Sequence, residues 1–201
     1  MIHRNLARAI VTAATLALLP AAAHAHLVNT GLGPFYDGVL HFALTPEDLL
    51  PALSLALFAG LRGARSGRLA LLVLPGAWLA GGLLGLAFPT ISTAPALTTV
   101  SFLALGGLVA ADARLRPEWV AGLALVLGLV HGYLNGSAMS EAKLGALGLV
   151  GIVATLFVIV ALAAALVVAL RAPWARIAVR VAGSWIAATG LLLIGWSLRA
   201  P

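Results

Sequence analysis

The sequence predicts an all-α integral membrane protein, with six transmembrane helices in one bundle after a cleaved signal peptide. Three observations predict it. The 201 residues are 62% hydrophobic and only 9% charged, with a mean hydropathy of +1.10, whereas about 25% charged residues is usual in a soluble domain. Apolar residues fall into six runs of about the length that crosses a bilayer. The arginines gather in alternate joins between those runs, as topology signals do.

Residues 1–25 read as a secretory signal peptide. Arg4 and Arg8 form its basic region, Ile10 to Leu19 its apolar core, and Ala23-His24-Ala25 an A-x-A cleavage site. Cleavage there makes His26 the new N-terminus and leaves residues 26–201 as one transmembrane domain; His3 and His24 depart with the signal. Val28 to Pro34 is a short Gly-containing lead-in. The apolar runs follow at residues 46–61, 69–87, 96–111, 119–135, 144–170 and 181–198. At about 1.5 Å per residue the first spans only about 24 Å, short of a hydrocarbon core of roughly 30 Å. Residues 35–44 are therefore expected to form a preceding turn or half-helix that dips into the membrane, with the break at Thr45-Pro46. Ala77, Gly81 and Gly85 on the second run, and Gly128, Gly132 and Gly136 on the fourth, place small residues at four-residue spacing, which suits close helix packing. The fifth run is long enough to tilt or protrude.

The joins fix an expected orientation. Arg62, Arg65 and Arg68 lie between runs one and two, Arg114 and Arg116 between three and four, and Arg171, Arg176 and Arg180 between five and six, so these joins belong in the cytoplasm. Residues 88–95 hold no basic side chain and 136–143 only Lys143, so they belong outside with both mature termini. A cleaved signal requires the same arrangement. Short joins leave no linker that would separate domains.

Several functions are excluded by the same inventory. A net charge of +6 and a pI near 11.4 suit nucleic acid, but the basic residues are spent on topology clusters, so a nucleic-acid partner is rejected. With no Cys, any metal must be held by nitrogen and oxygen. No Gly-rich phosphate loop or nucleophile motif is present, which argues against ATP-driven chemistry. Trp78, Trp119, Trp174, Trp185 and Trp196 are read as interface anchors without chemistry.

Charge is scarce elsewhere, yet Asp37, His41, Glu47 and Asp48 crowd the entry to the first run. Each ionisable group at membrane depth costs roughly 2.5–3.5 kcal/mol on insertion scales, so such a group points to function. Thr45-Pro46-Glu47-Asp48 also has a purely structural reading: N-cap, first helical residue and acidic first turn. Asp37 and His41 are four apart and share a face. So are His131 and Asn135 at the outer end of run four, where Asn135 reads as a cap or packing residue before a helix end at Gly136. His131 taken alone reads equally well as an interhelical hydrogen-bonding group. The topology puts both clusters at the same level. An N-terminal His26 adds an α-amine and an imidazole, a chelating pair. The candidate metal ligands are thus His26, Asp37, His41, Glu47, Asp48 and His131.

In these two clusters the chain resembles the HupE/UreJ family, small membrane proteins regarded as nickel and cobalt permeases linked to hydrogenase and urease. The family's first-helix signature is a His, five residues, then Asp-His; here His41 is followed by Phe42-Ala43-Leu44-Thr45-Pro46 and then Glu47-Asp48. The family's His-Gly-aromatic element in the fourth helix is similar to His131-Gly132-Tyr133, and the further His often found after it is replaced by Leu134-Asn135. The resemblance implies a divergent branch with an oxygen-richer site. It implies a secondary transporter of a divalent cation, nickel or cobalt, with zinc and copper as further candidates. The location implied is a bacterial inner membrane, and the partners are the lipid bilayer, the metal ion, metalloenzyme maturation proteins or a second copy. Uptake by such a site should weaken below about pH 6, where imidazoles charge. Two alternatives stand beside it. One is a zinc-dependent intramembrane hydrolase with His41, His131 and Asp48 on zinc and Glu47 activating water. The other is a membrane partner that hands metal on without transporting it.

Overall fold

A computed structural model describes residues 29–90 and 95–199, except the side chains of Pro95 and Ser197. The expected signal peptide and His26 lie outside the described residues. Within them the chain is all-helical, with seven helices and no strand: α1 (Pro34–Leu44), α2 (Pro46–Leu61), α3 (Ala64–Ala87), α4 (Pro95–Ala110), α5 (Pro117–Glu141), α6 (Gly145–Ala169) and α7 (Pro173–Ser197). Five of these begin on a proline, which fits the first helical position because its missing N–H would have no intrahelical partner there.

Helices α3, α5, α6 and α7 are each long and apolar enough to cross a membrane, and α1 with α2 qualifies as one broken span bent by 72°. That makes four to five candidate spans among the described residues. The difference from six is α4, whose 16 residues reach about 24 Å. The bend between α1 and α2 has a local cause. Pro46 disfavours helical geometry in the residue before it, and Thr45 is extended, with ψ 95. Its hydroxyl turns back to donate to the His41 carbonyl at 2.6 Å.

The Arg-bearing joins meet at one end of the bundle, the basic end. Arg62 pairs with Asp112, Arg176 lies 3.7 Å from the same carboxylate, and Arg65 is 3.3 Å from Glu118. Three helix boundaries differ from those expected, and the first is that of α3, which starts at Ala64 rather than near 69, so that Arg65 and Arg68 are helical. Helix α7 starts at Pro173, not near 181, because Arg176 and Arg180 are helical residues that reach back to the Leu61 and Ala110 carbonyls. Helix α5 continues to Glu141 because Gly136 is a packing contact and no terminator.

Glycine interlocking holds the helices where a bilayer supplies no hydrophobic drive between them. The small-residue surfaces of α3 and α5 pack on each other: a β-carbon at Gly81, Gly132 or Gly136 would run into the carbonyl of Leu129, Trp78 or Gly82. Helices α1 and α6 approach in the same way at Gly38, Gly148 and Gly151, and α4 and α7 at Gly106, Gly183 and Gly190. Helix α2 runs through the middle, in contact with all the others. Its Leu55 and Ala56 join Phe42, Leu74, Trp78, Ile152 and Leu156 in the main apolar core.

Candidate cation site

The break at Thr45 brings a helix N-terminus into the protein, and with it Asp48, which is only 7% exposed. Partial positive charge at that N-terminus favours a carboxylate in the first turn. Asp48 stands about 20 Å along α2 from the basic end, and His131 about 21 Å along α5, so antiparallel helices set the two at one height.

They meet directly. His131 Nδ1 is 2.9 Å from Asp48 Oδ1, and the Asn135 amide donates to Asp48 Oδ2 at 2.9 Å and to the His131 carbonyl at 3.0 Å. On its far side His131 Nε2 lies 3.2 Å from the Ser101 hydroxyl of α4. An ionised carboxylate only accepts, so Nδ1 carries the proton; with the ring neutral, Nε2 then holds the lone pair and Ser101 donates to it. The ring also stacks at 5.5 Å and 33° against Trp78, which Phe42 meets edge-on at 5.6 Å. His131 is 1% exposed and Asn135 3%. Buried charge of this kind persists because each oxygen of Asp48 has a donor.

Unspent polar capacity lies on the α1 side of the cluster. Asn135 Oδ1 is buried and makes no hydrogen bond, although the half-buried His41 interacts electrostatically with that amide and with Asp48 and Glu47. Glu47 is exposed at the mouth. Pro51, inside α2, has no N–H to give to the Glu47 carbonyl one turn earlier. A buried acceptor without a partner calls for an explanation, and an ion is one.

The expected ligands thus have different fates. Asp48 touches His131, and His41 and Glu47 stand beside the pair. Asp37, four residues before His41, is held instead by the lead-in: Thr30 N–H and Thr30 Oγ both donate to its Oδ1 at 2.6 Å. Among the described residues no group of three or more His, Asp or Glu is poised to hold a metal ion. Both oxygens of Asp48 are already engaged, so a cation would have to exchange with Asn135 or use remaining lone pairs.

Three residues have roles at the site that the sequence alone does not assign. Asn135, expected as a cap or packing residue, lies buried within α5 and donates a hydrogen bond to Asp48; its spacing of four from His131 is the available sign. Trp78 is fully buried against His131, with its Nε1 unpartnered, while Trp119, Trp174, Trp185 and Trp196 are 67–79% exposed. Ser101 is one of three hydroxyl residues, with Thr98 and Thr99, in an otherwise apolar helix, and only tertiary contact singles it out. Beside it a cavity of about 210 Å³ opens between α4 and α5, lined by Leu97, Val100, Ala104, Leu123 and Val126, with His131 at one wall.

A family model described as HupE / UreJ protein matches residues 13–193 of the chain. No curated protein and no solved structure matches it.

Proposed function

The chain belongs to the HupE / UreJ family, and with that as premise we propose that it is a secondary permease for a divalent transition-metal cation, nickel or cobalt first, with its site between α2 and α5. One observation carries the reading: Asp48, His131 and Asn135 are held together, buried, across a broken helix and its neighbour. Ionisable groups at membrane depth mark ion routes, and non-helical breaks that present polar groups mark binding sites within them.

The cation in this proposal is substrate. It is held by Asp48, His41 and Asn135 Oδ1, mixed nitrogen and oxygen donors that nickel and cobalt accept. His131 orients Asp48 through Nδ1–H and is braced by Ser101, the supporting role that outer partners give a metal-binding group. The exposed Glu47, with Asp37 and the His26 terminus, supplies capture from the outside. The basic end is then cytoplasmic, since Lys and Arg are retained on that side. Helix α4 is the sixth span, and the membrane is the bacterial inner membrane.

Nickel accumulation by cells that express the parent, His41→Ala or His131→Ala tests the proposal, with each variant measured in isolated membranes. The parent accumulates the metal and neither variant does. Equal accumulation by all three would remove the site. Metal binding without flux in proteoliposomes would replace transport with hand-over to another protein.

A further inference from the structure

The helices form two interlocked groups that meet along a loosely filled seam. Backbone contacts at glycines lock α3 to α5 and α1 to α6, and Gly82 of α3 packs on Leu149 of α6. Helices α4 and α7 are locked to each other in the same way, at Gly106, Gly183 and Gly190, and reach the rest of the chain chiefly through α2. The cavity of about 210 Å³ lies on the seam between α4 and α5. Helices whose backbones touch cannot slide past one another without clashes, whereas a cavity-lined seam has room to change.

Polar ties cross the seam at two heights. At the site, Ser101 of α4 holds His131 of α5. At the basic end, Asp112, just past α4 and in a left-handed backbone conformation at φ 49, engages with one oxygen Arg62 at the end of α2 and with the other Arg176 of α7. Arg176 also donates to the Leu61 carbonyl at 3.4 Å. The Arg62 side chain is only 11% exposed and lies over the Phe58 ring, 5.7 Å from its centre. Below this cluster Phe58, Ala59, Leu61, Val109 and Val120 close the space between helices with apolar side chains. Glu47, by contrast, is open at the other end.

We propose that the α4–α7 pair is the moving part of the protein, and that Arg62, Asp112 and Arg176 form the latch that keeps its basic end shut on α2. As the inner gate of a permeation route, the latch rests on the permease reading; as a contact that limits opening, it does not. One carboxylate serves two guanidiniums, so its loss releases both at once.

The chain has no Cys, so single thiols can report the opening. Leu61→Cys, at a position 5% exposed beneath the latch, is the reporter, and Ile152→Cys, 0% exposed in the locked group, is the control. Full-length protein in inside-out vesicles is treated with a membrane-impermeant maleimide, without metal. Both thiols should be protected in the parent. With Asp112→Asn the Leu61→Cys thiol should react at least about tenfold faster, Ile152→Cys should stay protected, and Asp112→Glu should restore protection. An unchanged rate at Leu61→Cys in Asp112→Asn overturns the latch. Should both thiols become reactive, Arg176→Gln decides, because it leaves Arg62 paired: faster reaction at Leu61→Cys alone supports the latch, and any other result overturns it. Nickel flux through the parent is measured separately in proteoliposomes. Its absence sinks the permease reading and leaves the labelling result standing.

Discussion

Replacing Asn135 by Leu keeps side-chain bulk at a position 3% exposed while removing the amide that donates to Asp48 Oδ2 at 2.9 Å. A hydrogen bond to a charged group contributes about 1.5–3 kcal/mol, and leaving a polar atom buried without a partner costs about 1–3 kcal/mol. The substitution loses the first and strips the buried Asp48 Oδ2 of its donor, and removal of the orphaned Oδ1 offsets only part of that, so the cation-free protein should lose about 1–3 kcal/mol. Cation binding has no such offset, because both an oxygen donor and the group that aims Asp48 are gone. Affinity for nickel should fall about 10- to 100-fold, at about 1.4 kcal/mol per decade. Asn135→Asp should do the opposite: two carboxylates facing one another destabilise the cation-free protein, and a divalent cation relieves the repulsion. Thermal unfolding of purified protein in detergent, with and without nickel, and calorimetric titration read both quantities. If Asn135→Leu binds nickel within twofold of the parent, and Asn135→Asp gains no more thermal stability from nickel than the parent does, then Asn135 is a packing residue and the assignment of its oxygen to the cation is wrong.

His131→Ala should cost about 1.5–3 kcal/mol for the lost hydrogen bond to Asp48, whereas His131→Ala combined with Asp48→Ala should cost less than the two changes summed; unfolding of the four proteins gives the coupling. Gly132→Val should prevent assembly of the α3–α5 pair, because its β-carbon meets the Trp78 backbone, while Gly122→Ala, where the space is open, should be tolerated and can add about 1 kcal/mol from helix propensity; yield of folded protein from membranes separates the two. Glu47→Gln should leave stability unchanged, since Glu47 is exposed, but should weaken nickel binding, because one buried carboxylate leaves a divalent cation with an uncompensated charge. Titration at two salt concentrations checks this, and equal affinity in parent and variant would take Glu47 out of the site.

What the sequence made legible followed from simple periodicities. Four-residue spacing of Gly81 and Gly85, and of Gly128, Gly132 and Gly136, showed which faces approach closely, but not that the two faces meet each other, since spacing on one helix holds no information about its partner. Alternation of arginines between joins anticipates that Arg62 and Arg176 gather at one end, but not that Asp112 lies between them. The break at Thr45-Pro46 was legible from proline sterics. Asn135 reads as a cap or packing residue from sequence because Gly136 resembles a helix stop, whereas its missing side chain makes room for the Gly82 carbonyl. Trp78 reads like the four exposed tryptophans because position along a helix does not reveal which face is buried. Arg176 and Arg180 read as part of a join because charge argues for a loop. Their long side chains instead carry the charge out of the helix to carbonyls and Asp112.

The structural reading of Thr45-Pro46-Glu47-Asp48 holds for Pro46 at the first helical position and for the acidic first turn, while the Thr45 hydroxyl makes no capping bond and donates to the His41 carbonyl instead; the proposed ligand role of Asp48 is compatible with that arrangement. Residues 34–61 as a single straight helix would measure about 42 Å, and Asp48 would sit in its middle with no free N–H nearby. The 72° bend makes Asp48 a first-turn residue instead, in the field of a helix N-terminus that favours a carboxylate by about 0.3–1 kcal/mol, more when partly buried. That alone does not offset burial of a charge; the His131 and Asn135 donors supply the remainder. At the same turn the Thr45 hydroxyl folds back onto the His41 carbonyl at 2.6 Å. On the proposed reading, a divalent ion entering beside His41 would meet an Asp48 carboxylate already oriented by His131 and Asn135, and would have only the Asn135 amide to reorganise.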